Sequence, residues 1–373
     1  MKVLHLLSAG NIGGIEVLCK DIAQNDNENN VFAFLFEGGA IENKIREIGA
    51  PVYSIYKEKR FHVWKRMRTL YKICEEKKIE AVVVHNDGIS ILIYYLLLVR
   101  RKHNIFFIRY FHSVFEKKYY YDGTIVTNCI KKYLIRQALK RSDGLVAVSE
   151  RVKQSFIDNF EVDQRKVCVI YNGIGKELQN SSSLKNAKSE HNKIEIVYIG
   201  RIIDVKGIDI LLDAFSKLLI KRPNVVLRLI GDGDKRIPYQ VQVQNMGMEQ
   251  NVIFEGFQME KEKYLKDADI FVYPSRWEEA FGISIVEAMA YGLLCIASNV
   301  GGIPEIIKDR QNGYLFQCED SIDLERKMLE AISAIETGQE REMSIQAKKT
   351  AHFFSIDNTI KQLNALYQSL EGQ

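Results

Sequence analysis

No C-x-x-C pair occurs in this chain. The six cysteines, Cys19, Cys74, Cys129, Cys168, Cys295 and Cys318, are scattered, and strand-like runs such as VCVIY and LLCIAS hold two of them. That pattern gives no disulfide framework and suits buried thiols in a reducing compartment, so a cytoplasmic address is expected. Long apolar runs are also missing. The greasiest stretch, ISILIYYLLLV at residues 89 to 99, is about half of what a bilayer crossing needs. The opening MKVLHLLSAG has one positive charge and a short apolar run, but it leads into a glycine turn, so it reads as a first strand and not as a signal peptide. The dinucleotide fingerprint G-x-G-x-x-G is absent, and no nucleic-acid reader motif accompanies the basic residues, so no nucleic-acid partner is expected.

What is present is core and charge. With 373 residues and 46% hydrophobic content, the chain can bury a sizeable core and reads as two domains. Charge is unevenly shared: residues 1–180 carry a net +9 and the remainder a net −5. Much of the surplus lies among aromatic residues, in YKEKRFHVWKRMRTLYK and FEKKYYY. Tyrosine and tryptophan suit a lipid interface, and lysine and arginine suit anionic headgroups. A solvated helix face is the competing reading of each run.

In the first half, VLHLLS, VFAFLF, AVVVH, IFFIRY, GLVAVS and VCVIYN are continuous apolar strand candidates. Helical patterns such as IEVLCKDIAQN and VWKRMRTLYKICEEKK lie between them, which describes a parallel sheet flanked by helices. The polar stretch SSSLKNAKSEHNK after Asn180 is the best linker. The alternation then restarts with IEIVYIG, a helix from about Gly207 to Lys221, VVLRLIG, VIFEGF, DIFVYPS, a helix after Gly282, LCIAS and the GGIPEII turn. This is a second doubly wound unit, giving domains at 1–180 and 181–354. The amphipathic segment at about 355–373 closes the chain and is expected to pack back on the first domain. Two such units imply a cleft, with ligands beyond the carboxyl ends of strands.

Four constellations fall at strand ends. In SAGNIGGIE, Gly13 and Gly14 precede a helix beginning near Ile15, and glycines there let backbone N–H groups approach an anion; a tight turn without a ligand explains them equally well. In GRIIDVKG, Arg201 and Lys206 can converge on a diphosphate, the first as a planar fork and the second as a point charge, unless both are solvated. In WEEAFGISIVEAMAYG, Ser284 and Glu287 satisfy an S-x-x-E capping box, so Glu287 needs no further role. Glu279 stands in a loop where it has no cap to form, and Phe281 and Gly282 bring backbone N–H groups to a helix start. In IRYFH, His112 ends a strand, as His85 does in VVVHND with a weaker case; a lone histidine there is more often structural. Asp232-Gly-Asp234 and Asp267-Ala-Asp269 look like metal motifs, but a turn and a helix end account for them.

GRIIDVKGIDILLDAF, FVYPSRWEEAFGISIVEAMAYG and NVGGIPEII, with GGIE near the start, VSE at 148–150 and YNGI at 171–174, resemble glycosyltransferase family 4, whose members have the GT-B fold of two Rossmann-like domains facing a cleft. The resemblance covers nearly the whole chain, in order. It implies an acceptor-binding first domain and a nucleotide-sugar-binding second domain. Arg201 and Lys206 match the pair that binds the donor's diphosphate. Glu279 matches the glutamate near the transferred sugar's hydroxyls, and Glu287 the one on the nucleotide ribose. Phe281, Gly282, Ile283 and Ser284 match the backbone segment contacting sugar and phosphate, and His112 a histidine beside the reacting carbon. Ala280 departs from the family's frequent glycine, so its methyl either narrows the sugar pocket or restricts the loop.

The resemblance further implies a retaining hexosyltransferase, front-side attack, proton removal assisted by the leaving phosphate, and no metal or cofactor. A UDP-sugar is the expected donor. A saccharide, possibly lipid-linked, in bacterial surface-polysaccharide assembly is the expected acceptor, with the protein cytoplasmic or peripheral on an anionic inner membrane face. The alternatives are a sugar-nucleotide epimerase of the same architecture and a non-catalytic partner subunit, the latter disfavoured by the intact cations and glutamates.

Overall fold

A computed structural model describes residues 1–57, 63–85, 89–99, 105–117, 123–160, 162–179 and 193–372. The linker read after Asn180 lies outside the described residues except for Lys193, as do 58–62 and 118–121 of the two basic aromatic runs. The chain divides into two compact units, Met1–Gly173 with Ile356–Gln373, and Ile174–Ser355.

The first unit is a seven-stranded parallel sheet in the order β3-β2-β1-β4-β5-β6-β7. Its strands are β1 (Val3–Leu7), β2 (Asn30–Phe34), β3 (Val52–Ser54), β4 (Ala81–Val84), β5 (Phe106–Phe111), β6 (Gly144–Ala147) and β7 (Val167–Val169). β1, β2, β4 and β6 are buried along their whole length, as strands covered by helices on both faces must be. The run ISILIYYLLLV forms the helix Ile89–Val99 between β4 and β5. Leu92, Tyr95 and Leu98 are buried, and the Tyr95 hydroxyl lies 2.7 Å from Ser142 Oγ. This packing accounts for its apolarity: it is a core helix of an α/β layer. Among the described residues no helix is long and apolar enough to cross a membrane. The final helix, Ile356–Glu371, belongs to this unit, burying Tyr367 and Leu370 while Thr359 Oγ1 donates to the Tyr171 carbonyl at 2.8 Å.

The second unit is a six-stranded parallel sheet in the order β10-β9-β8-β11-β12-β13. It comprises β8 (Ile194–Ile199), β9 (Val225–Ile230), β10 (Val252–Gly256), β11 (Ile270–Tyr273), β12 (Leu294–Ser298) and β13 (Tyr314–Phe316). The division between units falls at Gly173/Ile174, ahead of the 180/181 boundary read from the linker. The reason is local: Ile174 bridges Ser355 and donates its N–H to the Phe354 carbonyl at 2.9 Å, which ties the chain to the second unit before the polar stretch begins. In both sheets the connections reverse direction at an inner strand pair, β1/β4 and β8/β11. Loops leaving such a pair diverge and open a crevice at the strands' carboxyl ends.

The aspartate pairs are accounted for locally. Asp269 Oδ2 accepts the Glu195 N–H at 2.9 Å, and Asp267 ends the helix Glu262–Asp267. Asp232 Oδ1 accepts the Gly233 N–H at 2.8 Å in a turn.

Candidate functional site

The carboxyl ends of β8 and β11 hold a compact charged cluster. After β8 the chain makes the short 3-10 turn Asp204–Lys206, and Gly207, at φ 67°, starts the helix Ile208–Lys221. A side chain at Gly207 would place its Cβ 2.0 Å from the Pro274 carbonyl, so only glycine lets this turn lie against the loop leaving β11. Lys206 Nζ donates to Tyr273 Oη at 2.9 Å and to Glu279 Oε1 at 2.5 Å. The same Oε1 accepts from Ser275 Oγ at 2.6 Å and from the Tyr273 hydroxyl at 3.2 Å. Lys206 and Glu279 are each 12% exposed. Burial pushes the Tyr273 phenol well above its usual value, and the Glu279 charge adds to this, so Tyr273 stays a hydroxyl donor.

Arg201 is held differently. The Tyr198 hydroxyl fixes its backbone carbonyl at 2.8 Å, while its exposed guanidinium makes no hydrogen bond or ion pair among the described residues. Arg276 clamps the two loops together. Its N–H donates to the Val205 carbonyl at 3.0 Å, its Nη2 reaches Asp209 Oδ2 at 2.8 Å and its Nε reaches Glu319 Oε1 at 3.0 Å.

Gly301 and Gly302 of the GGIPEII turn seat the Glu279 loop. Gly302 N–H donates to the Glu279 carbonyl at 2.7 Å, and a Cβ on Gly301, at φ 57°, would stand 2.3 Å from that same oxygen. Ala280 lies outside the positive-φ region, so its methyl adds no backbone strain there.

The capping-box reading of Glu287 is corrected. The helix Ile283–Ala290 has Gly282 as its N-cap, at φ 104°, so Ser284 already lies inside the first turn and Glu287 is too far along to reach the cap N–H. Glu287 is instead 7% exposed and receives Lys261 Nζ on both carboxylate oxygens, at 2.6 and 2.5 Å. Phe281 buries its ring against Phe354, centroids 5.1 Å apart, which anchors the segment ahead of Ile283. Lys261, Tyr273, Ser275 and Arg276 were not singled out by sequence reasoning. For Tyr273 and Ser275 a signal existed, since both stand in the YPS that ends β11; Lys261 lies on a different loop with no local mark.

In the first unit the helix Gly14–Asn25 begins at Gly14, one position before Ile15, with Gly13 as an extended N-cap at φ −154°. Glu16 Oε2 would meet a Cβ on Gly13 at 2.5 Å, and nothing lies within 4 Å of one on Gly14. The Glu16 carboxylate thus sits over Gly13, and burial raises its pKa. His112 is not a lone histidine: its Nε2 lies 3.0 Å from His85 Nδ1, and His85 Nε2 lies 2.9 Å from His5 Nδ1. The structure thus gathers Lys206 and Glu279, sets Arg201 at the end of the same strand and Glu287 with Lys261, and places Gly13, Gly14 and His112 at strand ends of the first sheet.

Fold and site together define a two-unit, doubly wound α/β protein with a cationic and carboxylate cluster at a switch point. HepE of Anabaena in complex with UDP superposes with a TM-score of 0.83 at 21% identity, covering 99% of this chain and all of that one, and shows the shared GT-B fold. The same protein with UDP-glucose gives 0.81 at 21% identity over 99% and 100% of the two chains. Residues 12–178 match the model of Glycosyltransferase Family 4 and residues 181–350 that of Glycosyl transferases group 1; the chain belongs to this glycosyltransferase family. An uncharacterized glycosyltransferase of Methanocaldococcus jannaschii is 30% identical over 67% of this chain and 66% of its own length. The N-acetyl-alpha-D-glucosaminyl L-malate synthase of Bacillus anthracis is 26% identical over 63% of this chain and 61% of its own. The chain spans less than two thirds of the length of these curated relatives.

Proposed function

We propose that this chain is a retaining glycosyltransferase that moves a sugar from a UDP-sugar to a lipid-linked saccharide in surface-polysaccharide assembly. The observation that carries the reading is the β8/β11 cluster: an unpaired Arg201 beside a Lys206 whose ammonium is aimed by Glu279 and Tyr273. Breaking a sugar–phosphate bond builds negative charge on the departing diphosphate, and fixed cations in a partly buried site stabilise that charge without having to reorganise. Arg201 supplies a planar two-pronged donor. Lys206 has three N–H donors and spends two inside the cluster, which leaves one for a phosphate oxygen. The N–H groups of Ile283 and Ser284, at the start of the helix behind Gly282, add donors of the same sense.

Glu279 receives its three bonds on Oε1, and Oε2 remains to accept from a sugar hydroxyl. Glu287 is suited to a ribose diol, with Lys261 holding the carboxylate in place. Each charged hydrogen bond of this kind contributes roughly 1.5–3 kcal/mol. The leaving phosphate takes the acceptor's proton as the acceptor attacks from the same face. Side-chain cations do the charge stabilisation in this reading, so transfer is expected to survive a chelator.

A thermal-shift screen of UDP- and GDP-sugars tests the donor: the right one, at 100 times its dissociation constant, adds about 2.7 kcal/mol to stability. Release of UDP only when a saccharide acceptor is present supports transfer. Epimerisation without acceptor, or no nucleotide binding at all, would sink it.

Two surfaces of the first unit support a membrane-borne acceptor. Trp64 is 72% exposed on the helix Val63–Glu76, beside exposed Arg68. The helix Ile125–Lys140 contains no acidic residue and exposes Ile125 (82%), Val126, Ile130 and Tyr133 next to Lys132, Arg136 and Lys140. Each basic residue near an anionic bilayer contributes about 1 kcal/mol. Vesicles containing phosphatidylserine are therefore expected to recruit the protein at low salt, and a triple Lys132→Glu, Arg136→Glu, Lys140→Glu variant to stay in solution. Failure of the wild type to sediment with such vesicles would remove the membrane from the proposal.

A further inference from the structure

The first unit buries a chain of polar groups that runs inward from His112 and ends at an amide. Asn30 Nδ2 donates to the backbone carbonyl of Asp26 at 2.8 Å. A carbonyl only accepts, so this bond fixes which way the amide faces and leaves Oδ1 towards His5. His5 Nε2 stands 2.9 Å from that oxygen and must carry a proton. Burial lowers the pKa of His5 to about 4, so the ring is neutral and its Nδ1 is bare. His85 Nε2, 2.9 Å from that bare nitrogen, must then be the donor. His85 is also held neutral, by burial and by its two histidine neighbours, which leaves its own Nδ1 bare. His112 Nε2, 3.0 Å away, supplies the proton for the last link. An imidazolium at His5 or His85 would set one N–H against another.

One ring nitrogen remains. His112 is only half-buried, follows β5 directly, and its Nδ1 has no hydrogen-bond partner among the described residues. Burial pushes its pKa down to about 3, so at neutral pH Nδ1 is an acceptor with no proton to give. Such a nitrogen repels a diphosphate, whose oxygens also only accept, and it pairs with a hydroxyl. Cys19 Sγ lies 3.7 Å from His85 Nε2 and completes a trio with His5 and His85 of a kind that can hold a metal. Both nitrogens of the trio are already engaged in the hydrogen-bonded row, and burial holds Cys19 as a thiol.

A strand with apolar residues at these positions would avoid desolvating three imidazoles, so the row has a use beyond filling space. We propose that Asn30, His5 and His85 are positioning residues that order the protons along this row, so that His112 is held as its Nε2–H tautomer and presents a bare Nδ1 as acceptor for a ligand hydroxyl.

Nitrogen-15 NMR of the histidine-labelled full chain tests this, with His112→Gln assigning the resonance. At pH 7 His112 should appear as the neutral Nε2–H form, and Asn30→Leu should mix the two tautomers. A wild-type His112 that is Nδ1-protonated or charged overturns the proposal even if Asn30→Leu does not fold, and an unchanged tautomer in a folded Asn30→Leu overturns it too.

Discussion

Arg201→Ala is expected to lower turnover by about 10²–10³-fold, the size of effect seen when one preorganised charge-stabilising donor is lost, and to leave the fold as stable as the wild type. The two halves of this expectation have separate causes. Arg201 is exposed and its guanidinium makes no bond within its unit among the described residues, so removing it breaks nothing and stability should change by no more than about 0.5 kcal/mol. Its charge is also uncompensated, unlike that of Lys206, whose partner is Glu279. Of the two cations it therefore presents the larger net positive field to a developing diphosphate. Arg201→Lys keeps the charge but loses the fork and should recover only part of the rate. Single-turnover kinetics with the donor found by the thermal-shift screen, alongside denaturant unfolding, separates the two halves. Turnover near that of the wild type would take Arg201 out of the diphosphate site.

Much of the fold is legible in the chain because covered parallel strands must be apolar on both faces. Runs such as AVVV and IFVY announce β4 and β11 without ambiguity. The charged part of the site is legible for a related reason: Arg201, Lys206 and Glu279 sit in loops straight after strands, where a buried sheet ends and a ligand can approach. What stayed hidden depends on contacts distant in sequence. Lys261 meets Glu287 across 26 residues, and Gly301 seats the loop of Glu279; nothing local marks either. Glu287 misled for the opposite reason. Its spacing from Ser284 fits a capping box, but Gly282, with a positive φ that a side chain would resist, starts the helix earlier and moves the box out of register. The histidine row had a local mark that went unread: His5 is the one polar residue in the buried strand VLHLL, and a polar group there must have a buried partner.

Lys206→Met should both destabilise the second unit and stop transfer, and the double variant Lys206→Met/Glu279→Gln should restore the first property without the second. In the wild type the pair is 12% exposed on each side, and removing one member of a buried pair strands the other charge at a cost of about 3–5 kcal/mol. The lower end applies here, because Tyr273 and Ser275 continue to donate to Glu279 Oε1. For a unit of this size, about 3 kcal/mol corresponds to a fall in Tm of roughly 6–12 °C. Replacing both charges leaves a neutral amide that still accepts from the two hydroxyls, and neutral replacements of buried pairs are often as stable as the pair they replace. The stability cycle should therefore show a coupling of about 2–3 kcal/mol, while the double variant stays inactive because no ammonium remains to meet the phosphate. A Lys206→Met protein that melts with the wild type would mean that the contact is a surface pair without consequence. A double variant that still transfers sugar would mean that the cluster braces the loop after β11 and leaves the diphosphate to Arg201 alone.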